Sequence, residues 1–280
     1  MIPIIYVLLS FVILIGLYLI AICPRGARKS DFTSFECRFY AHRGLHDNNS
    51  FKRPENSLPA FEAAIAKGLG IELDVQITKD GIPVVFHDAT LKRMCGKEKT
   101  VSECTYEELS QFPLLQSQEH IPKLEAVMSM IAGRVPVIVE IKMYDKNSEV
   151  NELAMQVLDH YLGVYCMESF HPKALRWFKK NRPNVLRGQL SANFIRGKEP
   201  GNKFKYFCWQ NLLWNFLTKP DFIAYNYQEK NMLSVVLCRK LYKVTMFAWT
   251  IRSKEGYQAA KDSFDYFIYD TVDITTLKNC

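Results

Sequence analysis

Residues 38–88 read RFYAHRGLHDNNSFKRPENSLPAFEAAIAKGLGIELDVQITKDGIPVVFHD. Two short β-rich runs, residues 37–41 and 71–75, flank a helical pattern over 57–67. Ser57 is a candidate N-cap and Pro59 fits the first turn. The unit is therefore strand, helix, strand. The turn after the second strand decides how the chain continues. Only seven residues separate Val75 from Pro83, centred on Lys79-Asp80-Gly81. That is too short for a right-handed parallel crossover. Residues 83–87 should double back as a hairpin partner, returning His87 to the end of the second strand.

With the hairpin set aside, further strands are expected at residues 135–141, 164–167, 185–190, 222–225, 244–249 and 266–269. Helical patterns occupy 107–111, 124–132, 150–161, 172–180, 229–240 and 254–261. Residues 135–141 (VPVIVEI) are nearly continuously apolar, as suits a strand covered on both faces. Parallel strands then begin near residues 37, 71, 135, 164, 185, 222, 244 and 266. This rhythm predicts an α/β fold, a (β/α)8 TIM barrel with a β-hairpin after its second strand. An open doubly wound sheet is the alternative, but Gly68-Leu69-Gly70 precedes a strand instead of opening a helix. Residues 192–220 read as a long irregular insertion rich in aromatics, among them Phe194, Phe204, Phe207, Trp209 and Phe216.

The 280 residues divide into an apolar segment (1–24), a basic linker (25–36) and the barrel (37–280). No charged side chain occurs over residues 2–23, a run that matches the thickness of a bilayer's hydrocarbon. It lacks the basic start and small-residue cleavage site of a signal peptide, and Ile22 is too bulky for a lipoprotein-type attachment at Cys23. A transmembrane anchor is the expectation. Arg25, Arg28 and Lys29 come directly after it, which places the barrel on the cytoplasmic side. Eight dispersed cysteines with no CxxC pair fit free thiols in a reducing compartment. The net charge of +7 suits an anionic substrate or membrane surface. Without a dense Lys/Arg tract or zinc-finger spacing, nucleic acid is not an expected partner.

In a barrel, the carboxyl ends of the strands converge on one mouth. His42 and Arg43 end the first strand. Glu72 and Asp74 share one face of the second, and Glu140 and Lys142 one face of the third. Singly, each pattern also fits a solvent-facing strand, an ordinary turn or a salt-bridged strand end. Clustered and buried, three carboxylates need a cation, and hard oxygen ligands suit Mg²⁺ or Ca²⁺. Arg43 and Lys142 would balance phosphate charge, while His42 and His87 would share proton transfers. These features point to a metal-assisted hydrolase or lyase.

The ordered set His42-Arg43-Gly44, Pro54-Glu55-Asn56-Ser57, Glu72-Leu73-Asp74-Val75, His87-Asp88, Glu140-Ile141-Lys142, Ser169-Phe170 and Trp249-Thr250 resembles the glycerophosphodiester phosphodiesterase family. The resemblance implies a barrel that hydrolyses glycerophosphodiesters to an alcohol and glycerol 3-phosphate. It implies that Glu72, Asp74 and Glu140 hold one divalent cation, that His42 and His87 carry acid–base steps, and that Arg43 and Lys142 bind phosphate. Glu55 fits the family's site-shaping acid, and Phe170 and Trp249 its apolar wall around glycerol. Two departures stand out: Ser57 replaces a usual threonine, and the last strand ends Tyr269-Asp270-Thr271. The anchor and the aromatic insertion suggest a lysophospholipid-like substrate at the bilayer. The alternatives are a phospholipase D-like lyase giving a cyclic phosphate, and a catalytically silent membrane-tethered binding protein.

Overall fold

The apolar strand runs and the helical patterns between them set the alternation of the chain. The computed structural model describes residues 2–25, 32–144, 148–198 and 200–270. In chain order its elements are α1 (Ile2–Ile22), β1 (Phe39–His42), α2 (Leu58–Ala66), β2 (Gly70–Ile77), β3 (Pro83–Val85), α3 (Lys92–Cys95), α4 (Tyr106–Leu109) and α5 (Leu124–Ile131). Next come β4 (Val137–Ile141), α6 (Glu149–Leu158), β5 (Tyr165–Ser169), α7 (Pro172–Asn181), β6 (Arg187–Ser191), α8 (Lys203–Gln210) and α9 (Asn215–Thr218). The chain continues with β7 (Phe222–Asn226), α10 (Leu233–Lys240), β8 (Thr245–Ile251), α11 (Lys254–Ala260) and β9 (Tyr266–Tyr269).

The strand order is β1-β9-β8-β7-β6-β5-β4-β2, and β1 pairs with β2 to close the ring. Every pair in the ring is parallel. The ninth strand, β3, pairs antiparallel to β2 outside the ring, with Val75 opposite Val85. The expected barrel and hairpin are both present. A main apolar layer lies between the outer strand faces and the helices, with Leu73, Val139, Ile223 and Met246 meeting Phe61, Val127, Leu175 and Val235. The barrel interior is filled by Tyr40, Ile138, Cys166, Phe222 and Phe247. Gly188 makes room there, since a Cβ on it would lie 2.1 Å from the Phe222 ring. A third cluster, including Val84, Phe86, Leu91, Met94 and Leu109, packs the excursion after β3.

Three local expectations change. Residues 192–220 are not irregular throughout, because they contain α8 and α9. Asn202 caps α8 by accepting a hydrogen bond from the Lys205 amide. Ser57 precedes α2 but does not cap it. The N2 residue is Pro59, which has no N–H to give, and the Ser57 hydroxyl donates backward to the Pro54 carbonyl at 2.6 Å. Packed structure begins before residue 37: Phe32 and Phe35 are buried in the barrel's amino-terminal end, Phe32 against Phe222, Phe247 and Tyr266. Of the basic residues expected after α1, Arg28 and Lys29 lie outside the described residues, as do Thr271 and Cys280. The other seven cysteines are free thiols.

Candidate active site

The first βα turn is the most constrained part of the mouth. Arg43 adopts a left-handed backbone (φ 57°), as does Asn56 (φ 57°). For arginine this conformation costs on the order of 1 kcal/mol. It lets the Arg43 amide donate to Glu72 Oε2 at 3.0 Å and its carbonyl accept from the Asn56 amide at 2.9 Å. The Asn56 side chain donates to Asp74 Oδ2 at 2.8 Å. Gly44 also has positive φ (79°), and a Cβ there would sit 2.8 Å from the Ala60 carbonyl carbon. That close approach presses the turn onto α2.

Glu72, Asp74 and Glu140 come from neighbouring strands, with Asp74 in register with Glu140. All three are buried, and each offers an oxygen within 4.8 Å of the others'. Burial, together with the charges of Asp74, Glu140 and Glu168, pushes the Glu72 carboxyl well above its ordinary range. Burial likewise pushes Glu140 up, against the attraction of Lys142. Asp74 goes the other way: burial would raise it, but Lys142, His87, Arg43 and the Asn56 hydrogen bond hold it low. A set of buried oxygens that resists its own ionisation fits a divalent cation, whose charge would relieve that resistance. Lys142 Nζ sits 2.9 Å from Asp74 Oδ1 and 2.7 Å from Glu140 Oε1.

The two histidines open onto the same cavity of about 290 Å³, which Arg43, Glu72, Glu140, Lys142, Phe170 and Trp249 also line. Burial pushes the His42 imidazole down to about 4, against its contact with Asp270. It is therefore neutral at pH 7. His87 lies just past β3, and the buried Gln76 side chain clamps its loop by donating to the Phe86 and Asp88 carbonyls at 2.8 and 2.9 Å. The Tyr144 hydroxyl donates to the His87 carbonyl at 2.8 Å. His87 Nδ1 is 2.7 Å from Asp88 Oδ1, a pairing that leaves Nε2 for the cavity. Phe170 and Trp249 meet edge to face at 5.6 Å on the opposite wall.

Glu55 and Asp74 do not line the cavity themselves. Glu55 stands behind Arg43, which donates to it at 2.7 Å. Arg93 reaches Glu55 at 2.8 and 2.6 Å and Asp88 at 2.7 and 2.9 Å. A continuous chain of charged contacts thus joins His87 to Arg43 through Asp88, Arg93 and Glu55. Burial would raise Glu55, but the Arg93 hydrogen bonds and the charges of Arg43 and Arg93 outweigh it and hold the carboxyl at about 2.

Sequence reasoning missed Arg93 and Glu168. Arg93 lies in the excursion after the hairpin, a region with no strand end to mark it. Glu168 is buried on β5, in register with Glu140, and lines the cavity. Its signal was present: a lone carboxylate in an apolar strand, two residues before Phe170. Asp270, at the departure that ends the last strand, still faces the site: its carboxylate oxygens lie 3.0 Å from His46 Nε2 and 3.9 Å from His42 Nδ1.

The model of the glycerophosphoryl diester phosphodiesterase family matches residues 42–274. A glycerophosphodiester phosphodiesterase from Bacillus altitudinis is 33% identical over 172 residues, covering 56% of this chain and 68% of that protein. One from Caldanaerobacter subterraneus is 30% identical over 232 residues, covering 78% of this chain and 87% of that protein. Among solved structures, an Oleispira antarctica phosphodiesterase in complex with its product sn-glycerol-3-phosphate has a TM-score of 0.68 at 22% identity, covering 83% of this chain and 92% of that one. At that identity the likeness is one of fold.

Proposed function

The chain belongs to the glycerophosphoryl diester phosphodiesterase family, and we propose that it hydrolyses a glycerophosphodiester to glycerol 3-phosphate and an alcohol at the barrel mouth. The observation that carries this reading is the buried trio Glu72, Asp74 and Glu140 beneath a cavity that both His42 and His87 line. The trio would hold one divalent cation, Mg²⁺ or Ca²⁺, which when bound supplies Lewis-acid polarisation of the phosphate. Arg43 and Lys142 add positive charge where the phosphate enters.

His42, neutral at pH 7, takes the proton of the attacking water as its oxygen bonds to phosphorus. His87, oriented through Nδ1 by Asp88, gives a proton from Nε2 to the departing alkoxide as the second P–O bond breaks. The paired rings of Phe170 and Trp249 offer an apolar wall to the carbon face of glycerol. Glu55 holds Arg43 in place and does not reach the cavity.

The helix α1 is the one described helix long and apolar enough to cross a membrane, and in this reading it anchors the enzyme with the barrel on the cytoplasmic side. A lysophospholipid-like diester then becomes a natural substrate. Phosphorus NMR of products from glycerophosphocholine and its long-chain lyso form, with Mg²⁺ or Ca²⁺, tests the reaction. Glycerol 3-phosphate or its acylated counterpart, absent with His42→Ala and Glu72→Ala, is the expected outcome. A cyclic phosphate as the final product would replace hydrolysis by the lyase route, and no product from any diester would sink both. A reporter fused to the C-terminus tests the cytoplasmic side.

A further inference from the structure

The last turns of α1 are docked on the barrel wall, and their direction fixes which end of the barrel the rest of the helix leaves from. Tyr18 lies beside Ser234, which is near the start of α10, and close to Tyr225 in the carboxyl half of β7. Both belong to the end of the barrel that carries the catalytic mouth. Further along, the Ile22 carbonyl accepts from the Asn215 side chain at 3.0 Å. The Arg25 amide donates to the Pro220 carbonyl at 3.0 Å and its guanidinium to the Pro183 carbonyl at 2.8 Å. Pro220 and Pro183 lead into β7 and β6, at the amino-terminal end of the barrel. The chain therefore descends from the catalytic end at Tyr18 to the opposite end at Arg25. Extended backward, the exposed residues 4–15 leave from the catalytic end.

The junction of the helix with the barrel adds a second constraint. The exposed apolar residues 4–15 run without a linker into the turns of α1 that are docked on the barrel wall. A bilayer around the exposed residues therefore brings the docked turns and the rim around them up to the headgroup layer.

The rim is built for that position. Helix α8 sits over the mouth: the Ser191 hydroxyl at the end of β6 donates to the Trp209 carbonyl at 2.9 Å, and the Tyr225 hydroxyl to the Gln210 carbonyl at 2.7 Å. Its aromatic side reaches the cavity wall, because Tyr206 stacks on Phe194 and Phe194 meets Phe170 edge to face. Its other side leaves Phe204 75% and Phe207 49% exposed, and Leu233 nearby is 63% exposed. Lys203 and Lys205 flank Phe204 in sequence, with the Lys205 ammonium over the Trp209 ring, a pairing of cations and aromatics that suits an anionic membrane interface.

We propose that the catalytic mouth faces the bilayer crossed by α1, with Phe204 and Phe207 of α8 seated among anionic lipid headgroups. This rests on the reading of α1 as an anchor and of the mouth as the phosphodiesterase site. A scissile phosphate then enters from the headgroup layer, and a soluble diester must enter through the same narrow gap.

The test uses the full chain in nanodiscs of anionic lipid, with bromine on the upper acyl carbons to quench nearby tryptophan. Phe204→Trp and, as control, Leu162→Trp are compared with the unsubstituted chain. Leu162 is fully exposed and precedes β5, at the opposite end of the barrel. Roughly half of the emission added at position 204 should be lost to bromine, and none of that added at 162. Quenching at 162 alone, or at neither position, overturns the inference. A chain that elutes free of lipid removes the anchor itself and this inference with it. The readout involves no substrate, so its failure is distinct from failure of the proposed reaction.

Discussion

Replacing Glu55 with glutamine keeps the shape of the side chain and removes its charge. The carboxylate is 5% exposed and takes hydrogen bonds from Arg43, Arg93 and Asn48. Its carboxyl is held at about 2 against an ordinary value of 4.5. At 1.36 kcal/mol per unit this gap corresponds to about 3 kcal/mol. Arg93 is 46% exposed, and solvent screening of its share reduces the figure to about 2 kcal/mol. The sign is set by the folded value lying below the unfolded one. The stabilisation is complete above about pH 5 and is lost as pH falls through 4.5 towards 2. Glu55→Gln should therefore lower the melting temperature of the full chain by about 4–8 °C at pH 7. The difference from the unsubstituted protein should shrink to less than about half by pH 3. Differential scanning fluorimetry between pH 7 and pH 3 reads both quantities. A difference that is independent of pH, or absent at pH 7, would refute the paired-carboxylate reasoning.

Three other variants separate the parts of the site and its rim. Glu140→Gln removes one of the three clustered carboxylates, and titration calorimetry should show divalent-cation affinity lower by about 100-fold or more. In chelator the same variant should melt no lower than the unsubstituted protein, because burial disfavours the ionised Glu140 it replaces. Asp88→Asn leaves His87 Nδ1 without its carboxylate partner, so kcat should fall about 10- to 100-fold with KM little changed. Phe204→Glu with Phe207→Glu should lower kcat/KM on a lysophospholipid in anionic nanodiscs about tenfold. Their rate on a soluble glycerophosphodiester in detergent should be unchanged, and equal losses on both substrates would count against a membrane role.

The barrel was legible because parallel strands buried on both faces leave short apolar runs, and turn length separates a hairpin from a crossover. The Lys79–Gly81 turn predicted both the antiparallel β3 and the return of His87 to the mouth. The Glu72–Asp74 spacing predicted a shared face because strand periodicity is two. Other features left weaker traces. Nothing in the polar sequence around Phe32 and Phe35 marks them as the plug of the barrel, since that role comes from the gap left by closing eight strands. Helix α8 was hidden by Phe204, Tyr206, Phe207 and Trp209, residues with strand preference whose helix is secured by an Asn202 cap and by packing on the rim. Arg93 is only five positions from Asp88 but reaches Glu55 through tertiary folding alone, because the two lie 38 positions apart. The docking of α1 on the barrel was likewise invisible, because an apolar run reads alike along its length whether lipid or protein covers it.

The central claim is that Glu72, Asp74 and Glu140 hold a cation without which the diester is not cleaved. Its most direct measurement is release of glycerol 3-phosphate from glycerophosphocholine by the full chain, stripped with chelator and titrated with Mg²⁺ or Ca²⁺. The expected result is no release after stripping and saturable recovery with either or both ions, with Glu140→Gln needing far more ion. Undiminished release in excess chelator, or recovery in Glu140→Gln at the same ion concentration, would contradict it.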